Sequence, residues 1–477
     1  MATGDAYLAF SRFGLGPRAG DLGRVGSDPA SAVLDEIADP TSLFITDPDL
    51  PDSVEAYTQL RRYQRARQLA KLAIGSAMAV EQVMPKPVDA QLPEATIAAN
   101  GAVTVPGVPS PQDLMNAEIA ARVDRALAAP IGFGERLVAF WTNHFAVQVA
   151  SDEVVRALAG AFEREAIRPY VLGKFGDMAV AATQHPAMLI SLNNATSIGP
   201  DSPQGKKSGK GLNENHAREL MELHTVGVDA GYTQGDVTSF AKVLTGWTFG
   251  RGENEPEYYG RFVFHNYAHE PGPQTVMGKL YPQPAVDQGL AVIADLVKKP
   301  ATARHIATQF ATYFVSDTPP DSLVTRLSGV FLKTGGDLKA LTTALIKSPE
   351  AWSIPAAKLR TPQEFLFASI RALDFEAKPP FINRSLNDLG QPLWDPTSPQ
   401  GFKDDAATWL APDAMTTRVD TAELMASQAK GIDDPRQLAA DLFGDAISDD
   451  TRTAIDRAES RDQALALLLM SPEFQRR

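Results

Sequence analysis

Glycine and proline divide the sequence into a long series of segments of helical length. Within most of them, apolar residues recur at the three- and four-residue spacing that places them on one face of a helix. Thr361, Pro362 and Glu364 mark one clear start, with an N-cap, a proline at the first helical position and the closing residue of a capping box. The sequence therefore predicts an all-α fold, a mainly helical domain of many helices. Helices are predicted near residues 53–85, 111–128, 133–149, 152–168, 285–298, 301–315, 338–347, 361–374, 414–429 and 461–470.

Two stretches interrupt the helical pattern. Residues 93–111 are rich in Ala, Val, Gly and Pro and poor in charge, which indicates a linker or an ordered loop. Residues 247–281 include a short segment, 261–265, that alternates like a strand and could pair with residues 275–278. We expect a small β-hairpin flap on the helical body there.

The chain has 477 residues, more than a single hydrophobic core usually serves. We predict a helical core over residues 1–300, which carries the candidate site, and a C-terminal helical region over residues 301–477. In the second region, an apolar helix leads into Ser348-Pro349-Glu350, and a similar one leads into Ser471-Pro472-Glu473. This weak duplication indicates a repeated architectural unit, in which serine caps the next helix and proline starts it.

Charge and composition exclude several classes of function. The formal net charge of −13 argues against a nucleic acid partner and against anionic membrane surfaces. The sequence has no cysteine, which excludes disulfides, thiolate nucleophiles and cysteine metal sites. No apolar run reaches the roughly 18 residues that a membrane span needs. No signal peptide is visible, so the location is open between the cytoplasm and export, with a partner or after removal of a leader.

The segment from residue 213 to 227 concentrates most of the chemistry-bearing side chains. On a helix, His224 falls near the middle of an apolar stripe that includes Leu220 and Met221. A buried imidazole without a partner costs about 1–3 kcal/mol, so His224 should be hydrogen-bonded or metal-bound. The helix therefore either holds a structural histidine or brings a reactive one into a pocket.

Two other histidines are candidate partners for His224. His144 lies in line with Leu137 and Trp141 on a helix that is apolar almost all round, and His269 lies on the predicted flap. Each has an ordinary alternative role. His144 could be a core histidine that is hydrogen-bonded to a carbonyl or carboxylate, and His269 could be a histidine of a surface loop. Inward histidines on separate helices nevertheless favour a site, because helical domains build cofactor sites from facing helices.

Imidazole and carboxylate together suit zinc, iron or manganese, so we expect one divalent metal ion of unspecified identity. His144, His224 and His269 are its candidate ligands, with Glu219 or Glu222 as a further ligand or a base. On an ideal helix the two glutamates point about 140° and 160° away from His224, so other segments would have to contribute. Alternatively, Glu219 pairs with Arg218, Arg136 or Lys242 as part of the structure.

A basic loop leads into this same helix. It contains Lys206, Lys207 and Lys210, and Asn213 and Asn215 follow it. The free N–H groups and partial positive charge of a helix N-terminus attract phosphate, sulfate or carboxylate groups. We therefore predict an anion site from these five residues, although a solvated loop is equally plausible. The spacing of glycine and lysine is not that of a P-loop.

Several motifs occur together in this chain, among them Arg12-Phe13-Gly14-Leu15-Gly16, Gly211-Leu212-Asn213-Glu214-Asn215 and Leu244-Thr245-Gly246-Trp247-Thr248. Together they resemble the bacterial domain-of-unknown-function family 1800. The resemblance covers nearly the whole chain, and its most specific block runs from residue 211 to 247. The resemblance implies a largely helical fold. Genes of family 1800 often lie beside genes of a second family, numbered 1501, which resembles alkaline phosphatases and sulfatases. His216 departs from the pattern, which usually has leucine or tyrosine there. The pattern itself falls on Asn143, His144, Asn213, Asn215, Arg218, Glu219, Glu222, His224, Gly227 and His269.

Two hypotheses about function follow. In the first, the protein is a metal- or acid/base-dependent enzyme that hydrolyses or transfers a group of an anionic substrate, with catalytic residues His224, Glu219, Glu222 and Arg218. In the second, it is a non-enzymatic helical scaffold or escort for an exported partner from the phosphatase- and sulfatase-like family 1501. The polar cluster would then be a rigid internal network.

Overall fold

Helices make up most of the protein, which is described here by a computed structural model covering residues 3–75, 95–98, 103–209, 211–252 and 259–477. The strands in this part form only two-stranded antiparallel sheets, which confirms a mainly helical fold with small β elements. The α-helices are Thr3–Leu8, Asp21–Arg24, Pro29–Glu36, Ser53–Gly75, Pro111–Ala128, Phe133–His144, Glu153–Phe162, Phe175–Gln184, Pro186–Ser191, Pro203–Ser208, Asn215–Glu222, Gln234–Leu244, Val286–Val297, Pro300–Phe314, Asp321–Thr334, Leu338–Ile346, Glu350–Ser353, Pro362–Leu373, Pro379–Asp388, Ala406–Trp409, Pro412–Gln428, Pro435–Phe443, Asp449–Asp456, Arg461–Met470 and Pro472–Gln475.

The predicted helices are found, with their ends moved by local backbone geometry. The capping box at Thr361 and Glu364 is present and starts the helix Pro362–Leu373. The predicted helix 133–149 is wrong at its C-terminal end, because Phe145 leaves helical backbone angles and the helix ends at His144. Residues 76–85 of the first predicted helix lie outside the described residues. So do residues 93–94 and 99–102 of the predicted linker.

The predicted flap contains two hairpins. The strand Phe262–Phe264 pairs with Trp247–Phe249, and Gln274–Val276 pairs with Lys279–Tyr281, so the predicted pairing of residues 261–265 with 275–278 is wrong. Met277 and Gly278 both have positive φ, 46° and 78°, as in a two-residue turn that matches the twist of the strands it joins. That turn pairs residues 274–276 with the strand that directly follows them.

One hydrophobic core contains side chains from both ends of the chain, from Tyr7 to Phe474. Phe140, for example, packs edge-on against Phe310, with 5.2 Å between ring centroids. The predicted division at residue 300 remains a prediction, and these aromatic contacts cross it. No described helix has the length and apolar character needed to cross a bilayer.

Candidate functional site

A cleft of about 410 Å³ opens where four parts of the chain meet. They are the C-terminal end of the helix Phe133–His144, the helix Pro300–Phe314, the end of the helix Asn215–Glu222, and a loop at residues 400–405. The cleft is lined by imidazole, carboxylate, amide and ammonium groups, among them His144, His305, Glu222, Gln309, Lys403 and Asp404.

His144 is the last residue of its helix and is bonded on both sides of its ring. Its Nε2 lies 3.2 Å from the carbonyl oxygen of His224, and its Nδ1 lies 3.0 Å from the side-chain amide of Gln309. Burial, together with nearby His305, lowers the pKa of His144 to about 3, so its ring is neutral. A carbonyl only accepts, so the single proton sits on Nε2, and Gln309 must turn its NH₂ group toward Nδ1.

His224 does not present its ring to this cleft. The ring is 1 % exposed and packs against Phe145, and its Nε2 has no hydrogen-bond partner among the described residues. Burial first, and the neighbouring His144 second, lower the pKa of His224 well below its usual value. The contact of His224 with the site is its backbone carbonyl, which orients His144.

The clearest cleft base is His305, which was not predicted from the sequence. Its Nε2 donates to the carbonyl oxygen of Leu223 over 2.9 Å, and burial lowers the pKa of the ring. With the proton held on Nε2, Nδ1 keeps a lone pair, and no described residue donates to it. The available sequence signal was the spacing of His305 and Gln309, four residues apart and therefore on one helix face.

Two of the three predicted residues beside His224, Arg218 and Glu222, form an ion-pair group with Glu214. Arg218 Nη1 lies 3.2 Å from Glu222 Oε1, and Arg218 Nη2 lies 3.3 Å from Glu214 Oε2. Glu222 lines the cleft. Burial and the charge of Glu222 raise the pKa of Glu219, whose carboxyl forms no ion pair or hydrogen bond with the described residues. Burial and a hydrogen bond to Glu222 raise the pKa of Tyr232 to about 12.

His269 forms its hydrogen bond with a different part of the chain from His144 and His224. Its Nδ1 donates to the carbonyl oxygen of Thr245 over 2.9 Å, and its ring packs on Phe264. His144 and His224 are adjacent, with 5.7 Å between ring centroids. Within the described ranges, no group of three or more histidine, aspartate or glutamate side chains is placed to hold a metal ion. The divalent metal remains a prediction.

The predicted anion residues lie apart from the cleft, and none of them is in its lining. Lys206 and Lys207 are exposed on the short helix Pro203–Ser208, and Lys210 lies outside the described residues. Asn213 Oδ1 accepts the backbone N–H of Asn215 over 2.9 Å. This hydrogen bond occupies the backbone N–H of Asn215, a donor that would otherwise be free to bind an anion at the N-terminus of the helix. The anion site at these residues also remains a prediction.

Asn143 positions the loop that forms one wall of the cleft. Its Nδ2 donates to the carbonyl oxygen of Phe402 over 2.9 Å, and its Oδ1 accepts the backbone N–H of Phe402 over 2.7 Å. Gly401, at φ +79°, lies so close that a Cβ there would sit 2.5 Å from the carbonyl oxygen of Asn143. The side-chain amide of Asn143 thus pairs with both backbone groups of Phe402, as a neighbouring strand would.

A serine, a histidine and a glutamate meet elsewhere in the fold without the geometry of a hydrolase triad. Ser53 Oγ lies 2.9 Å from His185 Nε2, and it donates to Glu165. However, His185 Nδ1 accepts the backbone N–H of Ala187 over 3.2 Å, as a helix cap. The neutral ring must then carry its proton on Nε2, so it cannot take a proton from Ser53.

A smaller cavity of about 60 Å³ shares a wall with the cleft. Both are lined by Asn143, Tyr313 and the loop residues Phe402, Lys403 and Asp404. The cavity is also lined by Arg122 and Arg136 and by Glu135 and Glu364, each less than 10 % exposed. Buried charges of both signs therefore lie next to the cleft.

Comparison with known proteins identifies a family and no activity. A protein-family model described as "Protein of unknown function (DUF1800)" matches residues 8–476. No curated protein and no solved structure matches the chain.

Proposed function

The chain belongs to the DUF1800 family, and we propose that it is an acid/base-dependent enzyme that hydrolyses or transfers a group of an anionic substrate in the cleft beside His305. One observation carries this proposal: the carbonyl oxygen of Leu223 holds the Nε2–H of His305, so the lone pair of this cleft-lining imidazole is on Nδ1, next to Gly227. A general base needs such an oriented lone pair within reach of substrate.

Other cleft groups supply complementary roles in this proposal. His305 accepts the proton of the attacking water or hydroxyl. Tyr313 contributes a neutral hydroxyl, because burial raises its pKa. Lys403 and the adjacent cavity supply positive charge for the anionic part of the substrate. Glu222 lines the cleft, paired with Arg218, whereas His224 acts through His144 as a positioning residue.

The test is turnover of phosphate, sulfate and carboxylate monoesters by the wild-type protein and by His305→Gln. Glutamine can still donate to Leu223 but offers no basic nitrogen, so we expect kcat/KM to fall about 100-fold or more. His265→Gln is the control, since His265 is partly exposed and does not line the cleft. Equal rates for His305→Gln and wild type would refute the role of His305.

A metal-dependent version of the enzyme is a second form of the same proposal. It requires one divalent ion bound by histidines such as His144, after Gln309 has released Nδ1. Elemental analysis of protein purified without a metal-binding tag decides between the two forms. A stoichiometric metal that is lost in His144→Ala supports the metal form, and metal-free protein with full activity excludes it.

The scaffold hypothesis is supported by a different observation. His144 and His269 each have one ring nitrogen bonded to a backbone carbonyl oxygen, as in a structural network. In this alternative the protein escorts a partner of the phosphatase- and sulfatase-like family 1501. Co-purification with such a partner, retained in His305→Gln, supports the scaffold over the enzyme.

A further inference from the structure

The small cavity beside the cleft contains a buried guanidinium with unused donors. Arg136 is 1 % exposed, and its Nε and Nη2 atoms have no hydrogen-bond partner among the described residues. Nη2 lies 3.0 Å from Glu364 Oε1, but the two are out of line for a hydrogen bond, and that oxygen is also left without a partner. Such groups are rare in folded proteins and often mark an ion or a water.

Nε and Nη2 form one edge of the guanidinium group. This edge presents two parallel N–H bonds, the fork that binds the two oxygens of a carboxylate or phosphate. The other terminal nitrogen, Nη1, points elsewhere, to the carbonyl oxygen of Gly14 at 3.5 Å. The aromatic rings of Tyr313 and Phe314 pack against the group and fix its plane. Arg136 is therefore preorganised for a bidentate oxyanion.

The charge around Arg136 is strongly unbalanced. Four buried guanidinium groups, those of Arg136, Arg360, Arg418 and Arg477, lie near the carboxylate of Glu364, and Asp404 adds a second carboxylate near Arg477. Burial alone would raise the pKa of Glu364, but Arg136 and Arg477 hold it at about 2. Arg360 Nη1 and Arg477 Nη2 also have no hydrogen-bond partner in the described part of the chain.

A second buried group, on the other side of the cavity, has two guanidinium groups and two carboxylates and is balanced in charge. Arg168 bridges Glu135 and Glu163, and Arg122 adds a further guanidinium 3.2 Å from Glu163. The surplus of positive charge is therefore confined to the group around Glu364, inside a protein whose formal net charge is −13. Burying an uncompensated charge is unfavourable, so a bound anion would offset part of this charge.

We propose that this cavity binds a small oxyanion group, a carboxylate, phosphate or sulfate, through the Nε–H and Nη2–H edge of Arg136. A water needs roughly 10–15 Å³, so the 60 Å³ cavity holds several waters or one such group. Tyr313 and Lys403 line both spaces, so a larger molecule bound at Arg136 would extend toward the cleft. The site stands without any catalytic role for His305.

The test is calorimetric binding of inorganic phosphate and of phenyl phosphate at constant ionic strength. We expect saturable binding of phosphate to the wild type, weakened about tenfold or more in Arg136→Lys, which keeps the charge but loses the fork. Arg304→Gln is the control, an exposed arginine paired with Asp321, and it should bind as the wild type does. Tighter binding of phenyl phosphate would identify the ligand as part of a larger molecule, and equal binding would identify a free anion.

A second measurement uses the wild type alone and does not depend on how the variants fold. A crystal soaked in selenate should show anomalous scattering within hydrogen-bond distance of Arg136 Nε. Selenate only at surface lysines, or phosphate affinity unchanged in Arg136→Lys, would mean an adventitious ion only and would overturn the proposal.

Discussion

His305 Nε2 lies 2.9 Å from the carbonyl oxygen of Leu223, a residue 82 positions earlier in the chain. This bond determines which nitrogen of His305 carries the proton and which one keeps a lone pair. A similar bond joins His144 Nε2 to the carbonyl oxygen of His224, 80 positions later. Backbone oxygens of one short segment, residues 223–224, thus orient both cleft imidazoles.

Nitrogen-15 NMR of histidine-labelled protein should find His305 and His144 as neutral Nε2–H tautomers at pH 7. Burial lowers both pKa values, to about 3 for His144. For a substrate that is turned over, kcat/KM should therefore be flat at neutral pH and fall only below pH 6.5, as the base becomes protonated. An Nδ1–H tautomer at His305, or a rate that begins to fall above pH 7, would contradict the assignment.

Replacing His216 by leucine should stabilise the protein by about 1–2 kcal/mol. The side chain is 1 % exposed, and neither ring nitrogen has a hydrogen-bond partner among the described residues. Removing a buried unsatisfied polar group recovers its desolvation cost. Chemical denaturation at pH 7.5 measures the change, and a loss of stability in His216→Leu would show that the ring has a partner.

The same variant should also flatten the dependence of stability on pH. Burial lowers the pKa of His216 from 6.5 to about 3, so below pH 6.5 the unfolded chain takes up a proton that the folded chain refuses. Stability then falls as pH drops from 6.5 toward 3, by about 1.4 kcal/mol per pH unit for this group. Denaturation at pH 5 and 7.5 should give a smaller difference for His216→Leu than for wild type, with His265→Gln as the control.

Arg168→Met should destabilise the protein by about 3–5 kcal/mol. The guanidinium is fully buried and binds both oxygens of Glu135, each at 2.8 Å, as well as Glu163. Removing it strands two buried carboxylates. Arg304→Met breaks an exposed pair with Asp321 and should cost about 0–1 kcal/mol. Equal effects of the two substitutions in a denaturant titration would rule out a buried network centred on Arg168.

Asn143→Ala should release the loop at residues 400–405 from the helix. It removes the two hydrogen bonds to Phe402, worth about 1 kcal/mol each. Hydrogen exchange should become faster in that loop and stay unchanged in the helix Gln234–Leu244. Asn383→Ala, which removes a contact with Asn116, serves as the control. Unchanged exchange of the loop in Asn143→Ala would show that other contacts hold it.

Part of the candidate site could be predicted because it depends on local patterns. The helix that ends at His144 and the polar segment around His224 were recognised from apolar spacing alone, and both lie at or beside the cleft. His305 could not be predicted, because its own helix has an ordinary amphipathic pattern. Its significance comes from Leu223, which no sequence pattern connects to it.

Helix starts, capping boxes and the mainly helical class were determined by the sequence itself, because these features depend on residues three or four positions apart. Only the tertiary structure decided the orientation of each imidazole and the position of its proton. It also brought the guanidinium groups together around Glu364. Arg136 and Glu364 are 228 positions apart, and their charges interact only after the helices have packed. Long-range contacts of this kind set burial and hydrogen bonding, and these in turn set the chemistry of each side chain.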